Sequence, residues 1–245
     1  IVDCPPQLDI NSINTELKDI ENLRHPNLCF IREVVRVDEN QVGVFMDDHQ
    51  GSFLKFSMLQ LRENADVFHH AVVQLCKGVD YLHQSGLCHW DIRPETILVS
   101  KDQGKFHVAF VDVGLSFYFD LKKLPDLRDS LYHNPAKYMS PEIIMGRGAD
   151  CRSDLYSLGI VLFETATGAN PFDAPTTAGV ISAQLNKNAP QAKEINSNVS
   201  EETNALILRL LAKESAFRPA SASEVAREIA SYIFNPSIPP RTGGI

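Results

Sequence analysis

The stretch LCHWDIRPETILVS, residues 87–100, sets His89, Asp91, Arg93 and Glu95 immediately ahead of an apolar run from Ile97 to Val99. A loop that ends in a short strand can hold an acid and a base rigidly at the edge of a core, where catalytic groups tend to be mounted. A second carboxylate, Asp112, follows the β-branched run that opens VDVGLS at residues 111–116. Taken singly, Asp91 reads as a turn former and Asp112 as a cap on the next segment. His89 reads as a packed histidine, because His69, His70 and His83 do not share a face with it at metal-ligand spacing.

The elements around these residues follow from apolar periodicity. Ile13, Leu17, Ile20 and Leu23 predict a helix over 11–24, stopped by His25-Pro26. Phe30 to Val37 and Gln41 to Met46 predict two strands joined through Asp38-Glu39-Asn40. From Asn64, the spacing of Phe68, Val72, Leu75, Val79 and Leu82 predicts a long amphipathic helix that Gly86 ends. Thr96 to Ser100 and Phe106 to Val111 predict a second strand pair around the turn Lys101-Asp102-Gln103-Gly104. Leu155 to Thr165 is apolar almost all round, as a helix buried on every side would be. Further helices are predicted over 200–213 and 221–234, the last opened by the capping box Ser221 to Glu224. The order is strands with one helix, then a helical body.

Composition narrows the function classes. With 245 residues, 44% of them hydrophobic, the chain is long enough to bury a sizeable core. A formal net charge of -8 without a Lys/Arg run argues against general nucleic-acid binding. Five cysteines, odd in number and without CxxC spacing, suggest neither a disulfide framework nor a zinc site, and fit a reducing, cytoplasmic setting. No stretch has membrane-spanning length and no signal-peptide pattern opens the chain. The chain starts at Ile1 rather than Met, so residues upstream are expected.

The motifs in order resemble the eukaryotic-type Ser/Thr protein kinase family, over nearly the whole chain and most like its bacterial members. HWDIRPETILV resembles the catalytic loop and its strand, VDVGLS the metal-binding segment, and YMSPE the end of the activation segment. RHPNL, SDLYSLGIVLFETATGANPF and LLAKESAFRPASASE agree with later and earlier marks of the family. The resemblance implies an α+β, protein-kinase-like two-lobe fold with a reduced, β-rich small lobe over 1–48, a mainly helical large lobe over 49–235 and a fraying tail over 236–245.

It also implies roles. Asp91 would be the hydroxyl-orienting base, Arg93 the cation beside the transferring phosphate, and Asp112 with Thr96 the magnesium ligands. Glu16 would be the helix glutamate that pairs with a strand lysine, whose own place lies at or before Ile1, behind a Gly-rich loop. Phe45 would stand at the back wall of the ATP site, with Met46, Asp47 and Asp48 along the adenine edge. Glu142 with Arg218, and Asp154, would be scaffold.

The sequence also departs from the family pattern. Thr96 stands in place of Asn, Trp90 in place of an activation-loop-sensing Arg, and Val113 in place of Phe. Pro135 or Asn134 replaces a Thr that contacts the base. These departures imply a pseudokinase-like signalling or scaffold module with impaired or atypical catalysis. The alternative is an active ATP- and magnesium-dependent Ser/Thr kinase whose Gly-rich loop and lysine lie upstream; a different transfer on the same fold is the remoter option. Either way the partner is a protein, as substrate or binding partner. Ser116, Ser130 and Tyr132 are hydroxyls that by themselves mark no phosphosite.

Overall fold

The computed structural model describes residues 2–3, 9–48, 50–113 and 135–234, and leaves the side chains of 2, 3, 13, 16, 19, 20, 112, 113, 135 and 234 outside the description. Asp9 starts the first helix, α1 (Ile10–Ile20), by accepting the Asn11 and Ser12 amides at 3.0 and 3.1 Å, which meets two of its orphan donors. Strands β2 (Leu28–Arg36) and β3 (Gln41–Met46) form the predicted antiparallel pair, with Val34 opposite Val44. The short β1 (Val2–Asp3) pairs with β3 at Gln41 and Val42.

Strands β5 (Ile97–Asp102) and β6 (Lys105–Val113) form the second hairpin. Its turn is Gln103-Gly104, both at positive φ (46° and 82°), a two-residue connection that glycine permits at little cost and that matches the strand twist. With β4 (Ser52–Phe53), the strands make one six-stranded sheet in the order β1-β3-β2-β6-β5-β4.

The two hairpins meet where β2 runs parallel to β6, pairing Leu28 with Phe110 and Phe30 with Val113. Asn27 secures this junction. Its carbonyl accepts the Phe110 amide at 2.9 Å, and its side-chain amide, buried among apolar residues, donates to Val108 O at 2.7 Å and to Gln74 at 3.2 Å. A buried amide without such partners would cost about 1–3 kcal/mol.

The remaining described elements are helical. Helix α2 (Leu54–Arg62) turns Leu54, Met58 and Leu61 into the core. It was not expected from sequence, because Phe53, Phe56 and Leu59 are also apolar yet exposed, which blurs the stripe that marks an amphipathic helix. Helix α3 (Ala65–Gln84) buries the predicted stripe and ends at Gly86 in a left-handed turn (φ 75°). Short α4 (Pro141–Ile144) precedes α5 (Arg152–Thr167), which is buried from Ser153 to Phe163 as its all-round apolar sequence requires. Helices α6 (Thr177–Asn186) and α7 (Ala192–Ile195) lead to α8 (Glu201–Leu210) and α9 (Ala222–Phe234), which packs along α3.

Helices α5 and α8 come unusually close. At Gly159 an added Cβ would lie 2.8 Å from the Leu210 Cβ, so only hydrogen fits there. Residues 114–134 and 235–245, with Ser116, Ser130, Tyr132, Asn134 and the predicted tail, lie outside the described residues.

One expectation is overturned. Cys88 and Cys151 form a disulfide, with Cα atoms 5.4 Å apart, although neither the odd count nor the spacing suggested one. The partners are 63 residues apart in sequence, and only the fold brings them together. Cys29 and Cys76 are buried; burial pushes the Cys76 thiol well above its ordinary value, which keeps it an inert core residue.

Candidate active site

The loop from Leu87 to Thr96 is shaped by one buried carboxylate. Asp154, 1% exposed in the first turn of α5, accepts the His89 amide at 2.7 Å, the Trp90 amide at 2.8 Å and His83 Nε2 at 2.9 Å. This clamp holds Trp90 at φ 61°, a left-handed conformation that costs a non-glycine residue on the order of 1–2 kcal/mol. The bend buries His89 against the Phe110 ring at 5.1 Å and brings Asp91 out beyond it. His89 is the packed core histidine that the sequence suggests.

Asp91 and Arg93 are brought together. Arg93 Nε donates to Asp91 Oδ1 at 2.9 Å, and its Nη1 lies 3.4 Å from Glu95 Oε2. The guanidinium is 7% exposed, whereas the Asp91 side chain is 28% exposed, so the carboxylate keeps an open face. Burial in the loop pushes the Asp91 carboxyl above the usual carboxylate value, and the Arg93 charge opposes this without cancelling it. A carboxyl raised in this way and still reachable is suited to accept a proton from a bound hydroxyl.

Thr96 turns inward. Fully buried, its hydroxyl donates to Asp91 O at 2.7 Å, lies 3.1 Å from Arg93 O, and accepts the Arg93 amide at 3.2 Å. The expectation that Thr96 ligates a metal is therefore not supported: its hydroxyl hydrogen and one lone pair are committed to the loop backbone, and the atom faces no open space. What the side chain does is close the loop on itself.

The remaining expected residues fall around Phe30. On one side, β6 places Val113 opposite Phe30, so the backbone of Asp112 lies at this junction, on the strand that contacts the Pro94–Thr96 turn. The Asp112 side chain lies outside the description, as does that of Glu16 on α1. On the other side, the Asp47 amide donates to Phe30 O at 3.0 Å. Asp112 and the run Phe45 to Asp48 are thus two strand spacings apart, roughly 10 Å.

Within that run the side chains are mostly exposed. Phe45 is 56% exposed beside Gly43, and Met46 and Asp48 are exposed too. The Asp47 carboxylate is taken by Arg32, at 2.7 Å to Nε and 2.6 Å to Nη2, and accepts the Phe30 amide at 3.2 Å. Arg32 holds the Asp47 carboxyl below the usual range. The β2–β3 register slips between Ile31 and Glu33, and this irregularity aims Arg32 at Asp47. Sequence reasoning passed over Arg32; no signal in its neighbourhood marked it.

Two partly buried polar pairs lie in the helical part. Glu142 receives Arg218 through both oxygens, at 2.6 and 2.8 Å, and the Ser153 hydroxyl at 2.5 Å. Burial alone would raise Glu142, yet the guanidinium and hydroxyl outweigh it and bring its pKa down to about 2. This is the scaffold tie expected of Glu142 and Arg218. Tyr138 donates to Glu164 at 2.7 Å, and burial raises both groups above their ordinary values, helped by the Glu95 charge. Glu164 was overlooked, although a lone carboxylate within the apolar face of residues 155–165 is itself a signal.

This loop, clamp and sheet junction are those of a protein-kinase-like fold, and comparison with known proteins agrees. The family model described as protein kinase domain matches residues 5–230. The chain belongs to the protein kinase family. It is 28% identical over 232 residues to a probable serine/threonine-protein kinase of Clostridium perfringens, covering 94% of this chain and 33% of that protein. It is 28% identical over 225 residues to the serine/threonine-protein kinase PrkC of Bacillus subtilis, covering 90% and 33%. With the serine/threonine-protein kinase PknB of Mycolicibacterium smegmatis it shares 29% identity over 163 residues, covering 64% and 25%. The chain thus spans a third or less of the length of these bacterial relatives. No described helix is long and apolar enough to cross a membrane.

Proposed function

We propose that this domain is a pseudokinase-like signalling or scaffold module with impaired or atypical catalysis, acting through a protein partner. The observation that carries the reading is Thr96. Phosphoryl transfer depends on metal ions that neutralise the phosphate charge, and the family places an Asn amide oxygen there for one of them. Here a buried hydroxyl occupies the position and is engaged with Asp91 O and the Arg93 backbone. Losing one preorganised electrostatic contact costs about 3 kcal/mol, roughly a hundredfold in rate. ATP and magnesium, if they bind, would be held by the backbone near Asp47 and by Asp112.

The test is thermal. Saturating magnesium-ATP should move the melting temperature little; a rise of several degrees that vanishes in Asp112→Ala would defeat the reading.

A second reading, an active ATP- and magnesium-dependent Ser/Thr protein kinase, is favoured by Asp91, whose open and upshifted carboxyl suits a general base. On that reading, labelled ATP and a generic protein substrate give label that disappears in Asp91→Ala. Label that persists in the mutant would show that the base is another residue.

A further inference from the structure

Cys88 immediately precedes His89 in the loop that carries Asp91, and Cys151 caps α5 three residues before Asp154. Their disulfide joins the same two segments that Asp154 joins through the His89 and Trp90 amides. Covalent link and hydrogen-bond clamp therefore act in parallel on one bend of the chain. Cys88 is buried at 9% exposure, whereas Cys151 is half-buried and within reach of a small reagent. A ring nitrogen of His83 lies within 4.8 Å of both sulfurs.

We propose that Cys88 and Cys151 form a reversible thiol–disulfide modification site, oxidised by low-molecular-weight disulfides, whose state sets the rigidity of the loop bearing Asp91. The thiolate of Cys151 attacks one sulfur of the small disulfide, forming a mixed disulfide and releasing one small thiolate. The thiolate of Cys88 then attacks the Cys151 sulfur and expels the second small thiolate. Two cysteine thiols are oxidised, one small disulfide is reduced to two thiols, and the two protons lost by the cysteines balance those taken up by the small thiolates. In the reduced chain Asp154 alone holds the bend; in the oxidised chain the bend is fixed covalently as well. This holds whether or not the domain transfers phosphate.

The same three side chains could instead hold a soft metal, since zinc takes cysteine sulfur and histidine nitrogen. They supply only three donors among the described residues, and the His83 Nε2 is already bonded to Asp154.

To test the proposal, the reduced chain is incubated with oxidised glutathione, digested without reductant, and compared with the reduced chain by hydrogen exchange. We expect a Cys88–Cys151 linked peptide, and exchange of the His89 and Trp90 amides slowed roughly tenfold or more in the oxidised chain, restored by dithiothreitol. Cys151→Ser should abolish both effects; the comparison of oxidised with reduced wild-type protein stands even if that variant misfolds. Absence of the linked peptide, or linkage that leaves these two amides unchanged, overturns the proposal. So does one zinc ion per reduced chain that is lost in both Cys88→Ser and Cys151→Ser, which would make the cluster a metal site.

Discussion

Asp154→Ala should destabilise the protein by about 4 kcal/mol, because it strips the acceptor from three donors at once. The His89 and Trp90 amides bond this carboxylate at 2.7 and 2.8 Å, and an unsatisfied buried amide costs ~1–3 kcal/mol. Loss of the His83 contact at 2.9 Å adds to this. Part is returned when Trp90, no longer held, leaves its left-handed conformation and regains ~1–2 kcal/mol. Asp154→Asn keeps one acceptor oxygen but turns a donor toward an amide, so about half the loss is expected. For comparison, Asp150, exposed and bonded to the Arg152 amide at the start of α5 at 2.8 Å, should cost about 1 kcal/mol, the usual worth of such a cap, when replaced by Ala. Urea unfolding at neutral pH under reducing conditions separates these values, provided the m-value is unchanged. If Asp154→Ala loses less than about 1 kcal/mol, or leaves exchange at His89 and Trp90 unaltered, the clamp is not what fixes this loop.

The Glu142 carboxyl titrates at about 2 in the folded protein against an ordinary value of 4.5. It therefore contributes on the order of 3 kcal/mol above pH 4.5, lost as the pH falls toward 2. In Glu142→Gln the pH dependence of unfolding between those values should flatten by a comparable amount; an unchanged acid limb would refute the Arg218 pairing as its source. Gly159→Ala gains ~1 kcal/mol of helix propensity but sets a Cβ 2.8 Å from Leu210 Cβ, and overpacking costs ~1–3 kcal/mol. A net loss in thermal stability is expected, and a stabilised variant would show that α5 and α8 can separate freely. Thr96→Val keeps the shape and removes the hydroxyl, leaving Asp91 O and the Arg93 amide without that partner, at ~1–3 kcal/mol in urea. A neutral Thr96→Val would reopen the metal-ligand role.

The buried stripes of α3 and α5 were legible because burial on one side or on all sides leaves a periodicity that sequence carries directly. The β5–β6 hairpin was legible through Gln103-Gly104, where the turn demands positive φ. Helix α2 was not, since Phe56 and Leu59 are apolar but point outward. Asp91, Arg93 and Asp154 could be located because local motif order places them. What each atom touches could not: Thr96 offers a hydroxyl in either role, and only the path of the loop decides that it faces Asp91 O. The Arg32–Asp47 pair depends on a register slip, and the Cys88–Cys151 bond on a contact across 63 residues. Neither has a signature in local spacing.

The parallel seam between β2 and β6 has a consequence for biosynthesis. Leu28 pairs with Phe110, and at ribosomal rates of about 5–20 residues per second the later strand emerges roughly 4–16 s after the earlier one. Until then the apolar side chains of Leu28, Phe30 and Ile31 lack the neighbour that covers them. A nascent chain stalled before residue 105 should accordingly recruit holding chaperones that one stalled well past residue 113 releases.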